Sequence, residues 1–465
     1  MLSEALVTDV LAHAVRGGAT FAEIYVERWR RRAVRVLDGD VKEATSGLEF
    51  GAGIRLFFGA DIAYAYTNDL TPQSLLDVTG TLLRTRGNAG RVDERGRGGL
   101  DFRKHTAVGL HAPLVPFETH PKQYRLDRLR EADAGARVAP EIVQVESMLL
   151  EWEQDVLVAN SDAAWTEDRR VRTRLAVNAI AQDGGQVQTG VAWQGLSTGL
   201  ELLDRFPPRE MGQRAGTQAL TNLRARPAPA GTMPVVIGNA FGGVIFHEAV
   251  GHLLETTSVA KKASVLSDKI GEQIASPVVT YIDDGTTPGG WGSSEFDDEG
   301  APTRRTVLIE GGVLRSYMVD RWGALRTGYE PTGSGRRENY TYAPTSRMRN
   351  TFIAPGDASL DDVFSGVDEG LYAKNMRGGQ VKPGSGEYNF GVQEAYMIRH
   401  GKIAEPVRGA MLVGKGPETL QRVVAVSSDL LTAAGMCGSL SGSIPTEVGQ
   451  PHVLISAIVV GGEAA

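Results

Sequence analysis

A single cysteine in 465 residues rules out any disulfide within the chain, so that thiol survives by chance, for packing or for chemistry. No run of about 18 apolar residues passes without a charge, which excludes a helical membrane span. The opening segment MLSEALVTDVLAHAVRGG spaces Leu2, Ala5, Leu6, Val10, Leu11 and Val15 as a helix does. It has neither a long apolar core nor a small-residue cleavage site, so no secretory signal is expected and the expected location is cytoplasmic. Positive charge is not in surplus either. The net charge is −7 and the pI near 5.7, which argues against a nucleic-acid surface. The one basic run, RWRRR at 28–32, sits in a strand-like stretch and reads as a solvated edge.

What the chain does contain is ordinary for a soluble globular protein: 42% apolar and 23% charged residues. At this length two or three domains are expected rather than one core. The first helix should end at Gly17-Gly18. Antiparallel strands then follow, with turns at Asp38-Gly39 and Phe58-Gly59-Ala60. A helix is expected over 71–86, a polar glycine-rich linker over 87–99 and a charged helix over 124–134. Strands should cover 142–159 and 171–191, with a turn at Asp183-Gly184-Gly185, before a helix over 209–224. Beyond it, Pro227 and Pro229 mark the best boundary. The expectation is an α+β protein: an N-terminal domain over 1–226, divisible near 87–123, and a strand-rich C-terminal domain over 227–465 with hairpin signals at Asp284-Gly285 and Glu310-Gly311-Gly312.

Chemistry gathers in the second part. The chain has eight histidines, and two fall within six residues as His247-Glu248-Ala249-Val250-Gly251-His252. Zinc favours imidazole nitrogens with a carboxylate in reach of bound water. Positions i and i+4 stack on one helix face, whereas i and i+5 lie about 140° apart. An HExxxH string therefore predicts a local distortion, of which a π-bulge near Gly251 is the simplest. Two histidines packed for structural reasons are the alternative.

A metal would need a third protein ligand. Cys437, flanked by glycine in Gly435-Met436-Cys437-Gly438, can supply it. It can equally be a small buried hydrophobe. Two imidazoles and a thiolate would leave zinc with an open position, and Glu248 would act as general base on the water.

Strings such as PAPAGTMPVVIGNAFGGVIFHEAVGHLLE, DKIGEQIASPVVTYIDDGTTPG, DDEGAPTRRTVLIEGGVL, PTGSGRREN and GMCG carry a resemblance to the TldD/PmbA family, over nearly the whole length. It is to the metal-containing, TldD-type member. The resemblance implies a zinc metallopeptidase, one Zn2+ per chain, held by His247, His252 and Cys437 with Glu248 as the catalytic carboxylate. It further implies short, unfolded or modified peptides as substrates, bound as an added strand, and a heterodimer with a TldE/PmbA-type subunit that lacks HExxxH. A homodimer is the alternative.

Three segments depart from the family pattern: 260–264 (AKKAS), 339–342 (NYTY) and 438–442 (GSLSG). They leave the ligands intact and place the substrate in question, so hydrolysis of a small biosynthetic amide stands as an alternative. Arg336, Arg337 and Lys262 are candidate clamps for a substrate carboxylate. The acids Asp283-Asp284 and Asp297-Asp298-Glu299 lack the alternating spacing of a calcium loop. A non-catalytic scaffold with a closed metal site is the remaining alternative, with His400 or His452 as fourth ligand.

Overall fold

The computed structural model describes residues 1–85, 100–382 and 384–462. The expected 87–99 linker lies outside them. Helix α1 (Glu4–Arg16) starts where Ser3 accepts the Leu6 N–H, and it buries Val7, Val10, Leu11 and Ala14. A seven-stranded sheet follows, built from β1 (Phe21–Leu37), β2 (Asp40–Phe58), β3 (Asp61–Thr67), β4 (Arg103–Thr106), β5 (Ile142–Asn160), β6 (Ala164–Asp183) and β7 (Gln186–Leu196). Its order is β3-β2-β1-β5-β6-β4, with β7 also on β6; only β4 runs parallel to its neighbour. The β1–β2 turn uses Asp38 and Gly39 at φ 51° and 80°, both left-handed, as a tight hairpin of this twist requires. Helix α2 (Pro72–Arg84) is capped by Thr71, and α3 (Lys122–Ala136) packs with the Pro208–Arg224 helix against the sheet.

The basic run is not at an edge. β1 lies between β2 and β5, and its arginines meet acids of β5: Arg28 with Asp155 at 2.6 Å, Arg30 with Glu153 at 3.2 Å. The arginines are solvated as expected, but on an inner strand, where cross-strand acids pair with them.

Residues 226–461 build sheets of eight and six strands beside a two-stranded ribbon. One contains Glu369–Lys382, Gly231–Ile237, Val453–Gly461, Met411–Lys415 and Glu387–Arg399 in that order, and the last pairs back with the first. Five strands thus close a ring around a core that includes Val235, Leu371, Phe390, Leu412 and Ile455. The other sheet has six strands, ordered Val313–Leu314, Arg305–Glu310, Tyr281–Asp284, Asn350–Ile353, Gly442–Gln450, Leu431–Ser439. Glu310-Gly311-Gly312 makes the expected hairpin, with the glycines at φ 53° and 80°. Asp284-Gly285 does not. Asp284 caps its strand by accepting the N–H and hydroxyl of Thr286, and the chain travels to Arg305 before pairing back.

Asp298 and Glu299, whose spacing fits no calcium loop, join the two parts of the chain. Arg55 of β2 meets Glu23 at 2.7 Å and Glu299 at 2.8 Å; Arg170 of β6 meets Asp298 at 2.6 Å. All are buried. Burial drives the Glu299 carboxyl upward, with the Asp297 and Asp320 charges adding to it, while the Asp298 carboxyl, despite burial, is held down by Arg170 and Arg337.

Candidate metal centre

Strand Gly231–Ile237 delivers the chain through a 3-10 turn, Ala240–Gly243, into the short helix Val244–Ala249. Gly243 permits this: a Cβ there would stand 2.6 Å from the Gly449 carbonyl oxygen. His247 and Glu248 occupy the helix, which stops at Val250 (φ −128°, ψ −50°). The chain then tightens into a 3-10 turn, Gly251–Leu254, that carries His252. The distortion required by the i,i+5 spacing is therefore a helix break with a 3-10 continuation, not a π-bulge. It brings the imidazole centroids to 5.5 Å at nearly right angles. Gly251 serves by close approach, since a Cβ on it would meet the Met348 sulfur at 2.1 Å.

Cys437 arrives from the outermost strand of the six-stranded sheet, where it pairs with Ile444 and is 2% exposed. Its sulfur lies 3.2 Å from His252 Nε2. Glu248 presents one oxygen 3.5 Å from His252 Nε2 and the other 4.0 Å from His247 Nε2. One donor atom from each of His247, Glu248, His252 and Cys437 falls within 4.8 Å of the others.

The far sides of both rings are already committed. His247 Nδ1 is 2.9 Å from Thr351 Oγ1, and His252 Nδ1 is 2.9 Å from Glu255 Oε2. Each Nε2 is thereby turned to the centre, as carboxylate- or hydroxyl-oriented ligands are. His247 Nε2 is buried with no hydrogen-bond partner among the described residues. Burial would raise the Cys437 thiol, but the charges of His252 and His247 outweigh it and bring it to about 5. Burial opposes the same histidines at Glu248, and the His252 hydrogen bond with their charges holds its carboxyl at about 2. His252 is raised, against its burial, by Glu255 and Cys437. A buried ring nitrogen without a partner faces a thiol and a carboxylate here. The donor set fits a soft, imidazole-binding divalent metal.

The other candidates have partners of their own. The Arg336 guanidinium is buried on the carbonyls of Met348 and Pro445. Arg337 is spent on Glu23 at 2.9 Å and the Asp298 carbonyl at 2.8 Å. Neither has a fork left for a substrate carboxylate, and both serve as internal struts instead. Lys262 is exposed, at φ 56°, and pairs with Asp268. His400 pairs on the surface with Asp368, while His452 is held by Asp429 at 2.7 Å and Tyr372 at 2.9 Å. Neither supplies a fourth ligand. Glu255 and Thr351 went unnoticed in the sequence; the first stands three residues after His252, a visible spacing, while nothing local marks the second.

Three family models match the chain: PmbA/TldA metallopeptidase domain 1 over 22–83, the central domain over 116–223 and the C-terminal domain over 230–462. A metalloprotease TldD homolog of Haemophilus influenzae is 34% identical, with 98% of this chain and 95% of that protein covered. A zinc metalloprotease TldD homolog of Saccharolobus solfataricus is 26% identical, with 96% and 97% covered. Among solved structures, TldE from Thermococcus kodakarensis shares the fold at a TM-score of 0.73 and 19% identity, covering 98% of this chain and 100% of that one. A Thermotoga maritima structure does so at 0.78 and 23%, with 98% and 100% covered.

The matches are to metallopeptidase domains, and the α+β fold brings two histidines, a glutamate and a thiol within reach of one another. The chain belongs to the TldD/PmbA family of metallopeptidases.

Proposed function

We propose that the chain is a zinc-dependent peptidase acting on short, unfolded or modified peptides, with His247, His252 and Cys437 as metal ligands and Glu248 as general base. The observation that carries this reading is the convergence of their donor atoms within 4.8 Å. Zinc held there would polarise the scissile carbonyl and acidify water. Glu248 then takes a proton from the attacking water and passes it to the leaving amide nitrogen. Thr351 and Glu255 hold the imidazoles in the tautomers that face the centre.

Strand Leu431–Ser439 ends its sheet, with no strand on its outer side among the described residues. Its carbonyls at Ala434, Gly435 and Cys437 already accept from Trp193, Trp291 and Arg347, so a peptide bound as an added strand, without strong sequence preference, would pair at another edge. The Saccharolobus relative's name as a zinc metalloprotease supports the metal, and the shared fold with TldE supports a partner subunit of that type. The test is elemental analysis of wild type beside Cys437→Ala, with peptide hydrolysis by Glu248→Gln measured with and without the partner. Stoichiometric zinc that falls in the cysteine variant, with zinc retained but hydrolysis lost in Glu248→Gln, supports the assignment. Zinc unchanged in Cys437→Ala removes the thiol from the site.

A further inference from the structure

The ligands of the proposed centre come from two pieces of chain 185 residues apart, the His252 turn and the Cys437 strand. Something must hold these pieces in register. Arg347, fully buried, lies between them. Its Nη2 donates to the Cys437 carbonyl, and its Nη1 donates to Ser441 Oγ at 3.0 Å and the Gly442 carbonyl at 3.1 Å. It therefore grips the Cys437 hairpin on both sides of its turn. The Nε edge faces the other piece, 3.9 Å from Glu255 Oε1, and has no hydrogen-bond partner among the described residues. Glu255 in turn accepts the Met348 N–H at 3.3 Å and orients His252 through its other oxygen.

We infer that Arg347 is the positioning residue of the metal centre, locking the cysteine arm to the histidine arm through the Cys437 carbonyl and the Glu255 carboxylate. This rests on the ligand assignment proposed above. Two physical reasons point the same way. A guanidinium offers five N–H donors in a rigid planar fork, so one side chain can serve both arms; an ammonium on a flexible stem cannot. Charge also balances. A thiolate, Glu248 and Glu255 bring three negative charges into this region, and a dication offsets two of them. Arg347 offsets the third. Removing a buried charge partner leaves its counterpart unpaired, which a protein interior tolerates poorly.

The experiment uses the full chain and the metal ions alone. Zn2+ affinity is measured by chelator competition, and Co2+ loading is followed by the thiolate-to-cobalt charge-transfer absorption, in wild type, Arg347→Lys, Arg347→Gln and Cys437→Ala. Arg347→Lys preserves the charge and is the variant expected to fold. It should bind Zn2+ roughly 10-fold more weakly, and Arg347→Gln up to about 100-fold more weakly. Both should show a shifted or weakened charge-transfer band, which loss of global stability alone does not produce in folded protein. If Arg347→Lys is folded with wild-type affinity and an unchanged band, the inference is overturned, whatever Arg347→Gln does. If Cys437→Ala also keeps affinity and band, the ligand assignment itself has failed. If only Cys437→Ala loses them, the assignment stands and the role of Arg347 falls.

Discussion

The sulfur of Met348 sits 2.1 Å from where a Cβ on Gly251 would stand, so these two residues set how closely the His252 turn approaches the sheet behind it. Gly251→Ala must push either the turn or Met348 aside. Overpacking of this kind costs about 1–3 kcal/mol. The displacement also moves His252, so the variant should lose metal affinity alongside stability. Denaturant unfolding together with chelator competition checks both; loss of stability with unaltered affinity would show that the turn carries His252 rigidly.

Thr351 holds His247 through a hydroxyl alone. Thr351→Val keeps the shape and deletes the bond. Metal affinity should fall roughly 10-fold, at the weaker end for a residue behind a ligand, and Thr351→Ser should restore most of it. The measurement is zinc competition on the two variants side by side.

Arg337 is buried against Glu23 and stacks 4.1 Å over Tyr25, linking the first sheet to the later loops. Arg337→Met leaves Glu23 with Arg55 alone, so the stability lost should stay below the roughly 3–5 kcal/mol of a fully stranded buried charge. Removing both charges with Glu23→Gln in the same chain should recover part of it. A double-mutant cycle in urea decides whether the pair is coupled.

Asp283 predicts a pH dependence of definite sign. Burial raises its carboxyl to about 6, although the Arg349 N–H and charge pull the other way. The folded chain therefore holds a proton that the unfolded chain releases. The stability this contributes is fully present below the ordinary aspartate pKa and is lost as pH rises through about 6. Wild-type stability measured relative to Asp283→Asn should fall by about 3 kcal/mol between pH 3.5 and pH 7. A difference independent of pH across that window would refute it.

Features carried by local pattern were readable from the chain. Asp38-Gly39 announces its hairpin because few residue pairs accept two left-handed conformations. His247 and His252 stand out by spacing, and Cys437 by being the lone thiol. The form of the helix break did not follow, because Val250 yields to packing at Gly251 by Met348, nearly a hundred residues on. The RWRRR run showed its charge but not its neighbours: Glu153 and Asp155 arrive only when β5 pairs with β1. Arg336 and Arg337 looked free for the same reason, as their acceptors at Met348, Pro445, Glu23 and Asp298 are tertiary. Thr351 reaches His247 through a strand that carries no mark of its role.

If His252 and Cys437 are ligands as proposed, the separation of their two pieces of chain sets when a metal would be acquired. A growing chain that has emerged only past His252 offers a pair of imidazoles, a weak and unselective site that any abundant divalent ion can visit. Selectivity begins with the thiolate, 185 residues later, and with the closure of the six-stranded sheet that carries it. On the proposed ligand set, loading would therefore belong to the last stage of maturation, and the choice of ion would be made by the finished fold rather than by the first motif to leave the ribosome.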